Sequence, residues 1–192
     1  HTRLQGDWSS DVCSSDLGTT NNNLSIGFIN AITDKSYALI RENNDNIRKE
    51  LITPLTNFNV LSLSQKIIND YSSIGFINGS LNRESSFEDA NNYAFMANIF
   101  DDKRAFSFKG YYYKTYSPRL SKRSGQRKII TIEELKGNFR YWLHFHAADR
   151  YYNPNEIGFF NSKNFIQYGS RVSYQILNKR SEEHTSELQS PC

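Results

Sequence analysis

The chain has 192 residues and a formal net charge of +3, with 13 Phe and 12 Tyr but only 4 Pro and 2 Cys. That aromatic load favours strands over helices, and no apolar run approaches the ~20 residues that a membrane-spanning helix needs. The low mean hydropathy does not exclude a membrane β-barrel, whose strands bury only alternate side chains in lipid.

Residues 7–17 read DWSSDVCSSDL and residues 180–190 read RSEEHTSELQS. The second string resembles the translation of a short-read sequencing adapter, and the first resembles the translation of its reverse complement. Residues 1–17 and 180–192 are therefore expected to be non-native and are set aside from functional reasoning. Each end carries one arginine against three acids, so residues 18–179 alone are more basic, at +7. Both cysteines, Cys13 and Cys192, go with the ends. What remains has no disulfide framework, thiol nucleophile or Cys-ligated metal.

Period-two alternation then recurs along the chain. Leu24, Ile26 and Phe28 alternate with Ser25, Gly27 and Ile29. Residues 37–41 and 47–51 flank the Asn-rich stretch 43–46, which reads as a hairpin tip. Residues 58–67 and 74–81 are predicted strands with noisier patterning. The hexapeptide SIGFIN occurs at 25–30 and again at 73–78. It is expected on two strands of one direction separated by a hairpin, with Gly27 and Gly75 on the crowded side. Residues 84–97 read as loop then strand. Phe106, Phe108, Tyr112 and Tyr116 alternate with Ser107, Lys109, Tyr111 and Tyr113. Residues 117–128 read as a long polar loop. In residues 139–147, Phe139, Tyr141, Leu143 and Phe145 share one face while Arg140, Trp142, His144 and His146 share the other. Residues 166–176 repeat the pattern, and Asn153-Pro154-Asn155 reads as a turn that stops one strand, with residues 156–159 starting the next.

A soluble sandwich also alternates, but three features favour a membrane barrel. Residues 136–148 and 164–177 exceed the ~9–11 residues that cross a bilayer at a tilt. Tyrosines gather near strand ends at 111–113, 116 and 151–152, as interfacial girdles do. Arg, His, Gln and Asn on the second face would go unpaired in a sandwich core, whereas a water-filled lumen hydrates them. The expectation is an all-β antiparallel meander of about seven to nine strands, forming part of an unclosed transmembrane β-barrel.

The segments at 54–60 (PLTNFNV), Gln65, 73–78, 87–91 (FEDAN) and 152–159 (YNPNEIGF) resemble successive landmarks of one family. This is the Gram-negative outer-membrane barrel family of unknown function termed DUF5916, usually carrying an N-terminal module similar to family-9 carbohydrate-binding domains. The resemblance spans residues 18–179. It implies an outer-membrane location, outer-membrane lipid and glycan as partners, and further strands and the sugar-binding module supplied by a longer protein.

Candidate chemistry is sparse. His144 and His146 lie two residues apart beside Trp142 and Arg140, a spacing that can bind zinc or copper if a third ligand comes from elsewhere. A hydrated pair of lumenal histidines explains the same spacing. No nucleophile context supports a Ser-His-Asp triad. Arg119, Lys122, Arg123, Arg127 and Lys128 form a basic stretch better suited to anionic lipid or polysaccharide than to nucleic acid. The sequence therefore assigns no catalytic residue, metal or cofactor, and offers Arg140, Trp142, His144 and His146 as a lumen-facing polar cluster. The expected function is an outer-membrane barrel linked to surface glycan binding or transport, with no enzyme activity in this segment. The alternative is a soluble β-sheet module whose aromatic face holds carbohydrate. The two readings differ in where the face of Phe139, Tyr141, Leu143 and Phe145 points: outward for a barrel, into a packed interior for a soluble sheet.

Overall fold

The computed structural model describes residues 12–41, 47–84, 87–117, 123–155, 157 and 162–176. The predicted hairpin tip at 43–46, residues 118–122 of the basic stretch, and the outer parts of both terminal segments lie outside the described residues. There are eleven strands and no helix among the described residues: β1 (Val12–Thr19), β2 (Leu24–Thr33), β3 (Ser36–Arg41), β4 (Ile47–Thr53), β5 (Thr56–Lys66), β6 (Ser73–Arg83), β7 (Ala90–Phe100), β8 (Phe106–Ser117), β9 (Arg123–Glu134), β10 (Phe139–Ala148) and β11 (Phe165–Tyr174). Among the described residues no helix is long and apolar enough to cross a membrane, which says nothing of a β-barrel.

Nine strands form one antiparallel sheet in the order β1-β2-β5-β6-β7-β8-β9-β10-β11, while β3 and β4 pair as a separate hairpin. The all-β antiparallel meander is thus observed. It is not closed, so β1 and β11 form its two edges. Most of β1 is drawn from residues expected to be non-native, and it pairs in full register with β2 from Val12↔Ile32 to Thr19↔Ser25.

Connections differ at the two ends of the sheet. At one end, residues 20–23, 67–72, 101–105 and 135–138 make tight turns. Left-handed backbone at Asn23, Ile68, Arg104 and Gly137 reverses the chain there. At the other end, the β2–β5 connection contains the β3–β4 hairpin and the β10–β11 connection covers residues 149–164.

One sequence expectation needs correction. The polar stretch 117–128 is not one long loop, because β9 begins at Arg123 and pairs with β8 through Ser117↔Arg123 to Phe106↔Glu134. Pairing with a strong aromatic strand overrides the weak strand signal of its polar first half. The expected restart at 156–159 lies outside the described residues except for Ile157, which sits in a turn, and β11 starts at Phe165.

Register assigns every side chain to a face, because directly paired residues point the same way. One row of directly opposed residues reads Lys66, Ser73, Asn98, Lys109, Thr131, His144 and Gly169 from β5 to β11, and every member is polar or glycine. The opposite face has rows such as Ile99, Phe108, Ile132 and Leu143. The usual relation of burial to polarity is reversed here. On the apolar face Phe95 is 51% exposed, Leu143 47% and Ile166 67%, whereas Thr115 and Ser107 on the polar face are 3% exposed. Gly27 and Gly75 of the repeated hexapeptide both lie on the polar face, where a Cβ at Gly75 would meet Met96 Cε at 3.0 Å.

Candidate functional site

The polar face is a connected network. Ser107 Oγ and Lys109 Nζ donate to Glu133 Oε1 at 2.9 and 2.5 Å, and Tyr111 donates its hydroxyl to Asn98 Oδ1 at 2.9 Å. Trp142 stacks on His144 with centroids 5.1 Å apart and planes 7° from parallel, and His144 meets His146 edge-on at 6.1 Å. The Trp142 ring also covers Gly169, where a Cβ would lie 2.7 Å from Cζ3. The His144 ring thus covers one indole face, and the benzo edge of Trp142 lies over Gly169.

Both histidines have defined partners. His144 Nδ1 is 3.0 Å from Thr131 Oγ1, and Arg127 donates from Nε to His146 Nε2 at 2.8 Å. An imidazole nitrogen that accepts from a guanidinium carries no proton, so His146 is neutral with its proton on Nδ1. The same lone pair is then not offered to a metal. Among the described residues no group of three His, Cys, Asp or Glu side chains is placed to hold a metal ion. Arg140 sits apart from the histidines, its Nε donating to Gly137 O at 3.2 Å in the turn before β10. Of the four predicted residues, Trp142, His144 and His146 form one stack and Arg140 belongs to the turn.

A second component of this face has no counterpart among the sequence expectations. After β10 the chain turns inward at Asp149 and runs back across the polar side of the sheet. The turn is held by the Asp149 carboxylate, which accepts the Gln126 and Tyr151 backbone N–H groups, both at 2.8 Å. Asn153 N–H donates to Thr115 Oγ1 at 3.1 Å, and Asn92 Nδ2 donates to Pro154 O at 3.3 Å. At Gly125 a Cβ would lie 2.1 Å from Tyr152 N, and at Gly79 it would lie 3.2 Å from Ile157 Cγ2.

These four contact points have a simple relation. Gly125, Thr115, Asn92 and Gly79 are successive partners in one row across β9, β8, β7 and β6. The fold-back from Tyr151 to Ile157 therefore crosses four strands at right angles along a single row, with glycine at both ends to admit it. Tyr152 is 4% exposed. Burial pushes its phenol above the usual range, and a hydrogen bond from Arg127 pulls in the opposite direction. Arg127 also lies over the Tyr113 ring at 5.3 Å. One guanidinium thus ties the fold-back, β8 and the histidine stack together.

Gly125 and Thr115 carry no role in the sequence reading, and Arg127 and Tyr152 enter it only through the basic stretch and the tyrosine girdle. Reading 117–128 as loop removed Gly125 and Arg127 from any face. The available signal was the alternation of Gly125, Arg127, Ile129 and Thr131 with Gln126, Lys128, Ile130 and Ile132, visible once the strand is extended backwards from Ile129. The predicted tyrosine girdle is also divided. Tyr111 and Tyr113 share the polar face with His146 and Arg127, and only Tyr112 and Tyr116 point to the apolar side.

A family model described as Domain of unknown function (DUF5916) matches residues 17–190. The chain belongs to the DUF5916 family. The match takes in ten of the eleven strands whole, the last three residues of β1, the fold-back and the histidine stack, and it runs past residue 179 into the terminal segment set aside above. No curated protein and no solved structure gives a significant match to this DUF5916 chain.

Proposed function

We propose that this sheet is part of the wall of an outer-membrane β-barrel in a Gram-negative cell, with its apolar face against lipid and its polar face lining an interior. One observation supports this reading above the others: large apolar side chains are exposed on one face while small polar side chains are buried and hydrogen-bonded on the other. In water this arrangement costs roughly 25 cal/mol for each Å² of apolar surface left exposed. Against acyl chains that cost disappears. The strands of 10–12 residues in β5 to β11 have the length such a wall needs, and tight turns at one end with larger connections at the other match the usual asymmetry.

The interior this wall lines is partly filled by the fold-back. The role proposed for the whole protein is therefore restricted passage or binding of a polar, glycan-type solute, with no catalysis by this segment. The dense row of hydroxyl, amide and imidazole groups supports a polar solute. Further strands would pair with β1 and β11, and outer-membrane lipid would be the constant partner.

The test uses a chain with Cys13 and Cys192 replaced by serine and a single fluorophore-bearing cysteine introduced as Leu143→Cys or Gln167→Cys. In lipid vesicles, brominated acyl chains are expected to quench the probe at 143. Before the fluorophore is attached, a water-soluble thiol reagent should label the free cysteine at 167 and spare the one at 143. Equal labelling of both positions with no quenching would show that the apolar face meets protein or water instead of lipid.

A further inference from the structure

The apolar face does not keep one character along its length. From β5 to β10 its described side chains are apolar or neutral with three exceptions, Lys114, Lys128 and Glu134. Glu134 pairs with Phe106 at the tight-turn end. The two lysines lie together towards the other end, on neighbouring strands. Lys114 of β8 is paired with Gln126 of β9, and Lys128 is two residues along from Gln126, so the two lysines are diagonal neighbours on one face. Neither forms an ion pair with a described carboxylate.

Tyrosines surround them at the same level. Lys128 is paired with Tyr112 and lies 6.0 Å from its ring centroid, while Lys114 is paired with Tyr93. A shallow cavity of about 720 Å³ opens here on the apolar face, lined by Tyr93, Phe95, Tyr112, Lys114, Tyr116 and Ser124. On this same face its floor passes from Phe95 to Tyr116 and Ser124 nearer the strand ends, where Asn91, Asn78 and Ser80 continue a polar band across β7 and β6.

Two like charges held side by side without an acid repel each other unless an anion sits between them. Their aliphatic stems suit an apolar surface and their heads seek its boundary. Tyrosine favours the same boundary, with its ring in the apolar layer and its hydroxyl in water. We propose that Lys114, Lys128 and the tyrosine-lined cavity form an external binding site for the phosphate group of an anionic membrane lipid. The phosphate lies between the two ammonium groups, and the proximal part of an acyl chain follows the cavity towards Phe95. This inference rests on the membrane-wall reading, and it adds a lipid class and a position to it.

The full chain is reconstituted in vesicles of phosphatidylcholine alone and of phosphatidylcholine mixed with phosphatidylglycerol, and lipid retained after detergent extraction is identified by native mass spectrometry. Retention of phosphatidylglycerol over phosphatidylcholine is expected. It should fall by about five-fold with Lys114→Gln or Lys128→Gln, and further when the two are combined. Lys49→Gln in the β3–β4 hairpin should leave it unchanged. The probe at Leu143→Cys is read in the same vesicles. Quenching at 143 with unchanged lipid retention in the double variant, or an equal fall with Lys49→Gln, overturns the lipid site alone. Loss of quenching at 143 in the unsubstituted lysine background overturns both the site and the membrane-wall reading.

Discussion

Asp101 closes the tight turn between β7 and β8 with its side chain. Its Oδ1 accepts the Ala105 and Phe106 backbone N–H groups at 2.6 and 2.8 Å. These bonds, the one to Phe106 foremost, hold its carboxyl below the usual value of 3.8. Because the folded value is depressed, the contribution of Asp101 is fully present above about pH 3.8 and is lost as pH falls through the lower folded value. The Ala105 and Phe106 amide shifts, followed by NMR through the acid range, are expected to move together with a midpoint below 3.8. Asp101→Asn should abolish that titration. A midpoint at or above the usual value would mean the carboxylate does not hold the turn. Asp149 uses the same device at the opposite end, with one difference: the amides it accepts come from two separate elements, β9 and the fold-back.

At the scale of elements, the fold-back is held to the sheet by a few identifiable contacts, separate from the strand pairing itself. Gly125→Val would place side-chain atoms where the Tyr151–Tyr152 backbone now lies. Overpacking of this kind costs roughly 1–3 kcal/mol. Asp149→Ala removes the acceptor for two N–H groups, a loss of similar size for charge-assisted bonds. Each substitution is expected to release the segment while β6 to β9 stay paired. Chymotrypsin should then cut at Tyr151 or Tyr152 with unchanged far-ultraviolet circular dichroism, whereas the parent chain resists. Cleavage at equal rates in parent and variants would mean the segment does not dock. The ease of reading these elements from sequence follows their physics. β10 and β11 were legible because each alternates cleanly over its whole length. The first half of β9 was not, because Ser124, Gly125, Gln126 and Arg127 offer no apolar member to either face. The fold-back has no period at all: its contacts are close approaches to two glycines and hydrogen bonds between its backbone and side chains of distant strands. The Trp142-His144-His146 stack was visible as a shared face, but its partners Thr131 and Arg127 come from pairing with β9 and required the register.

The whole sheet has two free edges. β11 pairs only with β10, and its Ile166, Tyr168, Val172 and Tyr174 are 63–76% exposed. A long edge strand with a flat row of unpaired backbone groups is a template for adding another strand. In detergent without other strands to cover β11, the chain is expected to form β-rich assemblies whose onset depends on concentration. Tyr168→Lys together with Val172→Lys should raise the concentration at which light scattering appears, through charge repulsion at that edge. An onset unaffected by both changes would place the association surface elsewhere.

The repeated hexapeptide bears on the geometry of the sheet in another way. Ser25 is linked through Ser64 to Gly75, whereas Ser73, the matching residue of the second copy, is paired with Lys66. The two copies are therefore staggered by two residues over two pairing steps. The tight turns drift in the same sense: the row through Ser73 starts at the first residue of β6, crosses β8 at Lys109, three residues in, and crosses β10 at His144, five residues in. A slip of one residue per strand advances the chain about 3.3 Å for every 4.8 Å moved sideways. If the tight turns share one level, the strands lean about 35° from the normal to that level, which is the inclination at which a sheet of this kind curves round to meet its own edge.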